Sequence, residues 1–375
     1  MKPFIIFILL IGVLSCTKDK NYSLEVVDGV KFINNKNTPS NPSLKYSLSK
    51  TLEINFYDND NQEIENFKYP IDFDIDRDKN IYILDIMTSE VKKFDKNGKY
   101  LKSFSRQGNG PGESLYPSCL FIDRDTVYIS NRRGKSFIKY SLDGKYIGDN
   151  KLDFRLPSGA KPIGNNYIGS YDDYTSVDNT PSRVFRLALF NDKMEMIESL
   201  YDYDVDIEDE NFYNNVLDIF PPYAIGDSLI YVSANSEVEY KIYAYNFNGD
   251  KREVYSKQYR EKRYSKSEKD DIIKMINMKE ELISDIPQKS KKSITDIVYE
   301  DKNSIWVMTP GDNPRDSLGV VVDIFKKGIF QNRFKFSELE THCSYSYNLF
   351  YKIKNGYLYQ LSNKEGNLKV FKIEK

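Results

Sequence analysis

Few residues in this chain have the types and spacing for chemistry, and what they permit is narrow. Asp72, Asp74, Asp76 and Asp78 alternate. Alternate positions on a strand project to one side, so Asp72 and Asp74 would line one face together. Two carboxylates on one face are available to a divalent cation or to acid–base work. Read as a twelve-residue calcium loop, the run fails: Arg77 stands where glycine is needed and Ile83 where the bidentate glutamate belongs. A strand leading into a solvated turn is the plainer reading. The one histidine, His342, lies in Glu340-Thr341-His342-Cys343. A histidine-rich zinc site therefore cannot be assembled, and a serine triad would need His342 as its base. The segment 108–112 reads Gly-Asn-Gly-Pro-Gly, with no Gly-Lys-Ser/Thr after it and no strand-to-helix context, so it is not a phosphate cradle. Its glycines let the backbone turn sharply. Arg106 and Glu113 flank it and are placed to clip the loop by a salt bridge.

The elements that must position these residues show themselves as a repeat. Residues 75–100 read IDRDKNIYILDIMTSEVKKFDKNGKY, and residues 122–146 read IDRDTVYISNRRGKSFIKYSLDGKY. Tyr82 matches Tyr128, Phe94 matches Tyr140 and Gly98 matches Gly144, each pair 46 residues apart. In both units a polar turn leads into an alternating strand. A second strand ends in Asn97-Gly98 or Asp143-Gly144, which supply the positive φ of a tight hairpin, and a third strand follows. A weaker marker, an aromatic between two mostly aliphatic residues, runs further. It occurs at Ile81-Tyr82-Ile83, Val127-Tyr128-Ile129, Asn166-Tyr167-Ile168, Ile230-Tyr231-Val232, Ile305-Trp306-Val307 and Leu358-Tyr359-Gln360.

Four-stranded units of about 40–45 residues are propeller blades, and radial stacking buries both faces of each blade. The expected fold is all-β: a six-bladed β-propeller of four-stranded blades over residues 24–375. The marker spacing stretches to 64 and then 75 residues, which places insertions near 203–220 and 263–288. The first is acidic and leaves room for a short helix. The second, SKSEKDDIIKMINMKEELISDI, reads as an amphipathic helix between blades 4 and 5, starting near Ser265 and ending before Pro287.

Blade geometry then names a face. Loops joining strands two and three lie on the same side as those joining one blade to the next. Asp85–Ser89, Arg106–Tyr116, Asn131–Gly134 and the 265–286 insert should share that rim. Candidate binding residues are Asp85, Arg106, Gln107, Glu113, Tyr116, Asn131, Arg132 and Arg133, since arginine and tyrosine are enriched in hot spots and rigid scaffolds carry function on loops. A merely solvated rim is the alternative.

The N-terminus and composition bound the setting. Lys2 precedes an apolar run, Phe4 to Leu14, too short for the roughly 20 residues of a bilayer span. It ends in Val13-Leu14-Ser15-Cys16, which resembles the bacterial lipobox, so residues 1–15 are expected to be a signal peptide, Cys16 the lipidated residue and 16–23 a tether. Thr17 is not the aspartate that retains some lipoproteins at the inner membrane, which favours the outer membrane. A formal charge of −2 over 375 residues gives no electrostatic footprint for nucleic acid. The 30 Tyr and 22 Phe suit strands. Cys119 and Cys343 remain for an oxidising envelope to pair, if their geometry permits.

The blade pattern, together with Arg106-Gln107-Gly108-Asn109-Gly110-Pro111-Gly112-Glu113, resembles the NHL-repeat six-bladed propeller lipoproteins of bacterial envelopes. The resemblance is strong over Phe67–Tyr146 and thin beyond. It implies a ring closed by an N-terminal strand, Leu24–Val27 or Leu52–Phe56, paired with the last blade. It implies no reaction; related propeller lyases rely on sets of histidines that are missing here. Two functions lead, ahead of a purely structural envelope component. One is a monomeric, membrane-anchored module that binds a protein, peptide or glycan without cofactor. The other is an enzyme using channel carboxylates, with calcium or another divalent cation, on a sugar or lactone.

Overall fold

The computed structural model describes residues 20–57, 67–152, 156–177, 180–206, 220–276, 289–311, 319–340 and 349–375. Cys16, His342 and Cys343, the body of the acidic insertion and the second half of the helical one lie outside them. The described strands form six sheets, five of four strands and one of six, as the repeat predicted. Blades 1 to 6 begin with the strands Pro70–Ile75, Pro117–Asp123, Ser158–Ile163, Tyr223–Ile225, Asp296–Asp301 and Leu349–Lys354. In blades 1 to 5 four strands pair antiparallel in chain order, and blade 6 takes its fourth strand from nearer the N-terminus.

The aromatic marker falls on the second strand of every blade. Its physical role is to wedge blades together. Tyr167 of blade 3 stacks on Phe137 of blade 2 with ring centroids 5.3 Å apart, and Tyr231 of blade 4 stacks on Tyr299 of blade 5 at 6.3 Å. Tyr359 of blade 6 lies 6.3 Å from Phe73 of blade 1, across the closure of the ring. The core is therefore a series of inter-blade clusters rather than one centre.

The ring closes with Ser47–Asn55, which pairs antiparallel with Asn367–Glu374 as the outer strand of blade 6. This is the second of the two expected segments. The other, around Leu24–Val27, does something else: Tyr22–Val27 and Val30–Asn35 form a hairpin, and Val30–Asn35 lies parallel to Lys251–Lys257 at the edge of blade 4. Asp28 and Gly29, at φ +51° and +79°, supply the primed turn.

Turns from third to fourth strand share one build in blades 1 to 4. In Asp95–Lys99, Ser141–Lys145, Asn191–Glu195 and Asn246–Asp250, the first residue's N–H donates to the fifth carbonyl and the fourth N–H donates to the first carbonyl. The fourth position needs positive φ: Gly98, Gly144 and Gly249 meet this, and in blade 3 Met194 does so at φ +61°. A Cβ on Gly144 would also sit 2.7 Å from the Phe104 ring.

The helix Lys266–Ile276 leaves the segment after blade 4 and precedes blade 5. Ser265 caps it reciprocally, its Oγ accepting from the Glu268 N–H at 3.3 Å while Glu268 Oε2 accepts from the Ser265 N–H at 2.8 Å. Ile272 is buried against the body of the protein. At the expected acidic insertion the chain stays in strand through Asp206 before leaving the described residues.

Candidate functional site

All six first strands line one central cavity of about 1110 Å³. Asp72 and Asp74 do share a face there, as alternation required, but neither is open for chemistry. Asp72 Oδ2 accepts from the Leu120 N–H of blade 2 at 3.1 Å and lies 3.0 Å from Lys161 Nζ of blade 3; its Oδ1 lies 3.0 Å from Lys352 Nζ of blade 6. One carboxylate thus ties together the inner strands of four blades. Two residues on, the pattern repeats: Asp74 Oδ2 accepts from the Ile122 N–H at 2.8 Å, and Oδ1 lies 3.2 Å from Lys354 Nζ. Lys352 and Lys354 also donate to the Phe73 and Ile75 carbonyls.

Electrostatics follow from these partners. Burial pushes the Asp72 carboxyl up, but Lys161, Lys352 and the Leu120 amide outweigh it and hold it at about 2. Burial pushes the Lys161 ammonium down, and the Asp72 charge outweighs that and raises it. Asp76 folds back instead, accepting from the Asp78 and Asn80 amides and from the Tyr82 hydroxyl, while Asp78 is exposed. The four alternating aspartates are therefore two rivets, one turn cap and one solvated residue. Among the described residues no three acidic, cysteine or histidine side chains converge as a metal's donor set would. Cys119 is buried, its thiol 3.1 Å from the Ala160 carbonyl oxygen, and burial pushes it up to about 12.

The rim residues divide by what holds them. Asp85 is fully buried and accepts from four backbone amides, those of Lys68, Tyr69, Met87 and Thr88. It clamps two loops from inside. Asn131 is also buried, and its Oδ1 accepts from the Leu115 and Gly134 amides, which seats the Arg106–Tyr116 loop on the blade 2 loop. Glu113 grips its own loop, with Oε2 accepting from the Gly110 N–H at 2.8 Å and Oε1 2.6 Å from the Arg106 guanidinium. The Gly110 amide first, then Arg106, holds the Glu113 carboxyl below its usual range. Gln107 pairs with Ser114 in a single bridge at the base of the loop. Arg132 turns away toward Asp172 of blade 3, at 3.6 Å.

What faces outward is Arg106, Arg133 and Tyr116. The Arg133 guanidinium lies 3.9 Å from the centroid of the Tyr116 ring, and Tyr116 is half exposed. Two residues not picked out from sequence stand beside the Asp85 clamp with much of their surface exposed, Tyr69 and Met87. Their signal was weak, since each is a single apolar residue in a loop. Lys352 and Lys354, by contrast, alternate as the aspartates do and were readable as their counterpart.

The fold and its wall define a class: a six-bladed propeller whose central channel is lined by interlocked charges. Residues 71–304, more than half of the chain, match the model of the DUF5128 family, described as a 6-bladed beta-propeller, and the chain belongs to that family. Comparison with curated proteins finds no sequence match. Among solved structures, a protein of Bacteroides fragilis NCTC 9343 named as an exported protein aligns at 12% identity and TM-score 0.51, over 92% of this chain and 99% of that one. A DUF4221 member from Bacteroides vulgatus aligns at 12% identity and TM-score 0.46, over 88% and 99%. Virginiamycin B lyase from Staphylococcus aureus aligns at 10% identity and TM-score 0.46, over 88% and 99%. At 12% identity the likeness to the exported protein is one of fold alone.

Proposed function

We propose that this chain is an NHL-type lipoprotein of the bacterial envelope. Cys16 anchors it by lipid at the outer membrane, and its propeller docks a protein, peptide or glycan on the rim that carries Arg106, Tyr116 and Arg133. The observation that carries the reading is the contrast in commitment. The channel carboxylates Asp72 and Asp74 are consumed by lysines and amides, whereas Arg133 and Tyr116 form an exposed cation–aromatic platform. Asp85, Asn131 and Glu113 hold the loops beneath in place, so the platform is preorganised. Tyr69 and Met87 extend the exposed apolar surface on that side.

A panel of peptides and glycans screened by thermal unfolding tests the docking. A ligand at about 100 times its Kd raises stability by roughly 2.7 kcal/mol. The shift should vanish in Tyr116→Ala and Arg133→Ala; a ligand that stabilises both variants as it does the wild type binds elsewhere, and the rim reading fails. Radiolabelled palmitate incorporation, lost in Cys16→Ser, tests the anchor.

A further inference from the structure

The side of the ring opposite the rim carries apolar residues in a repeated place. The turns from third to fourth strand lie there, and Leu101, Ile147 and Ile197 each stand six residues after the first residue of that turn, in blades 1, 2 and 3. Tyr146 and Met196 directly precede the last two. All five are exposed, on the outermost strand of their blades. In blade 4 the same place falls to Arg252, and the edge hairpin lies outside it. There Lys31 pairs with Glu253 and Val27 with Val30, so Val26 and Val27 arrive at the same end of the blade, and Val26 is 70% exposed. A single exposed apolar residue is ordinary, but one register repeated over consecutive blades marks a side of the molecule. The neighbouring charges are mixed: Lys99, Lys145 and Lys193 share their turns with Asp95, Asp143 and Asp192. What such a side can exert is therefore an apolar pull rather than an electrostatic one. The hairpin is also the part of the body covalently nearest Cys16. Tyr22 follows Cys16 by six residues, which span at most about 22 Å. The strand Tyr22–Val27 itself runs about 17 Å. A lipid on Cys16 can thus lie level with the hairpin tip, with little slack to spare.

We propose that this side rests on the lipid bilayer, with the hairpin tip and the outer strands of blades 2 and 3 at the boundary between headgroups and acyl chains. The contact rests on the lipid anchor proposed at Cys16, and it turns the rim with Arg106, Tyr116 and Arg133 away from the membrane. The test uses the full chain, expressed with its own N-terminus and reconstituted in neutral phosphatidylcholine vesicles. A nitrobenzoxadiazole label is attached at Val27→Cys, at Ile147→Cys or, on the rim, at Met87→Cys, each in a Cys343→Ser background; Cys119 is buried. Brominated phosphatidylcholine should quench the labels at 27 and 147 twofold or more and leave the label at 87 unquenched, while aqueous iodide should reach only the label at 87. Labels at 27 and 147 that iodide still reaches, on protein that floats with the vesicles, overturn the contact and leave the anchor standing. Shielding from iodide without quenching by brominated lipid marks another occupant, a second copy of the chain among them, and also overturns it. Protein that does not float with the vesicles removes the anchor, and the contact with it.

Discussion

The channel wall and the rim above it are both rich in charge, and they use it in opposite ways. On the wall, Asp72 and Asp74 meet Lys161, Lys352 and Lys354 in the interior, and each contact crosses from one blade to another. On the rim, Arg106 is three-quarters exposed and its partner Glu113 belongs to the same loop. The first arrangement fixes the ring; the second fixes only a loop and leaves donors facing solvent. Charge in a cavity is thus no sign of chemistry until the partners of each group are counted.

The comparison is sharpest when the wall is broken. Asp72→Ala leaves Lys161 and Lys352 partly buried without their carboxylate, and should cost about 3–5 kcal/mol, seen as a large fall in the unfolding midpoint. Acid should act on the same group more gently. The Asp72 carboxyl is held at about 2 against an ordinary 3.8, so its stabilisation is complete above the unfolded value and is lost as pH falls through the folded one. The loss is about 2 kcal/mol between roughly pH 4 and 2, and Asp72→Asn should remove that part of the acid transition. Between wall and rim in size comes a turn: Gly144→Ala places a Cβ at φ +73° and against Phe104, and should cost about 1–2 kcal/mol in denaturant unfolding. Smallest is the rim pair. Arg106→Gln should change stability by less than about 1 kcal/mol, since exposed ion pairs contribute little, while weakening ligand capture. A fall as large as that of Asp72→Ala would erase the distinction between the two regions.

Much of the fold was readable because its physics is local. The second-strand aromatic of each blade packs in a cluster shared with a neighbouring blade, and Asn-Gly or Asp-Gly turns declare themselves, so blades 1 and 2 stand out. Blade 3 fades because Met194 takes the left-handed position that glycine marks elsewhere. Blade 4 was more legible than it was read, since Asn246–Asp250 has the form of Asp95–Lys99. The edge hairpin was missed as a pair because Asp28-Gly29 was passed over as a turn. The site was less legible. That Asp72 and Asp74 share a face follows from alternation, but their partners lie 280 residues away in blade 6, and only ring closure brings those lysines alongside. Asp85 reads from sequence as a candidate binding residue of the rim; it ends a strand, and four amide contacts turn it inward.

Thermal unfolding in calcium, in magnesium and in chelator, at matched ionic strength, tests the central claim directly. If the channel carboxylates are rivets, the three curves superimpose. A calcium-dependent rise that chelator abolishes, and that Asp72→Asn or Asp74→Asn removes, would contradict the account and return the channel to chemistry.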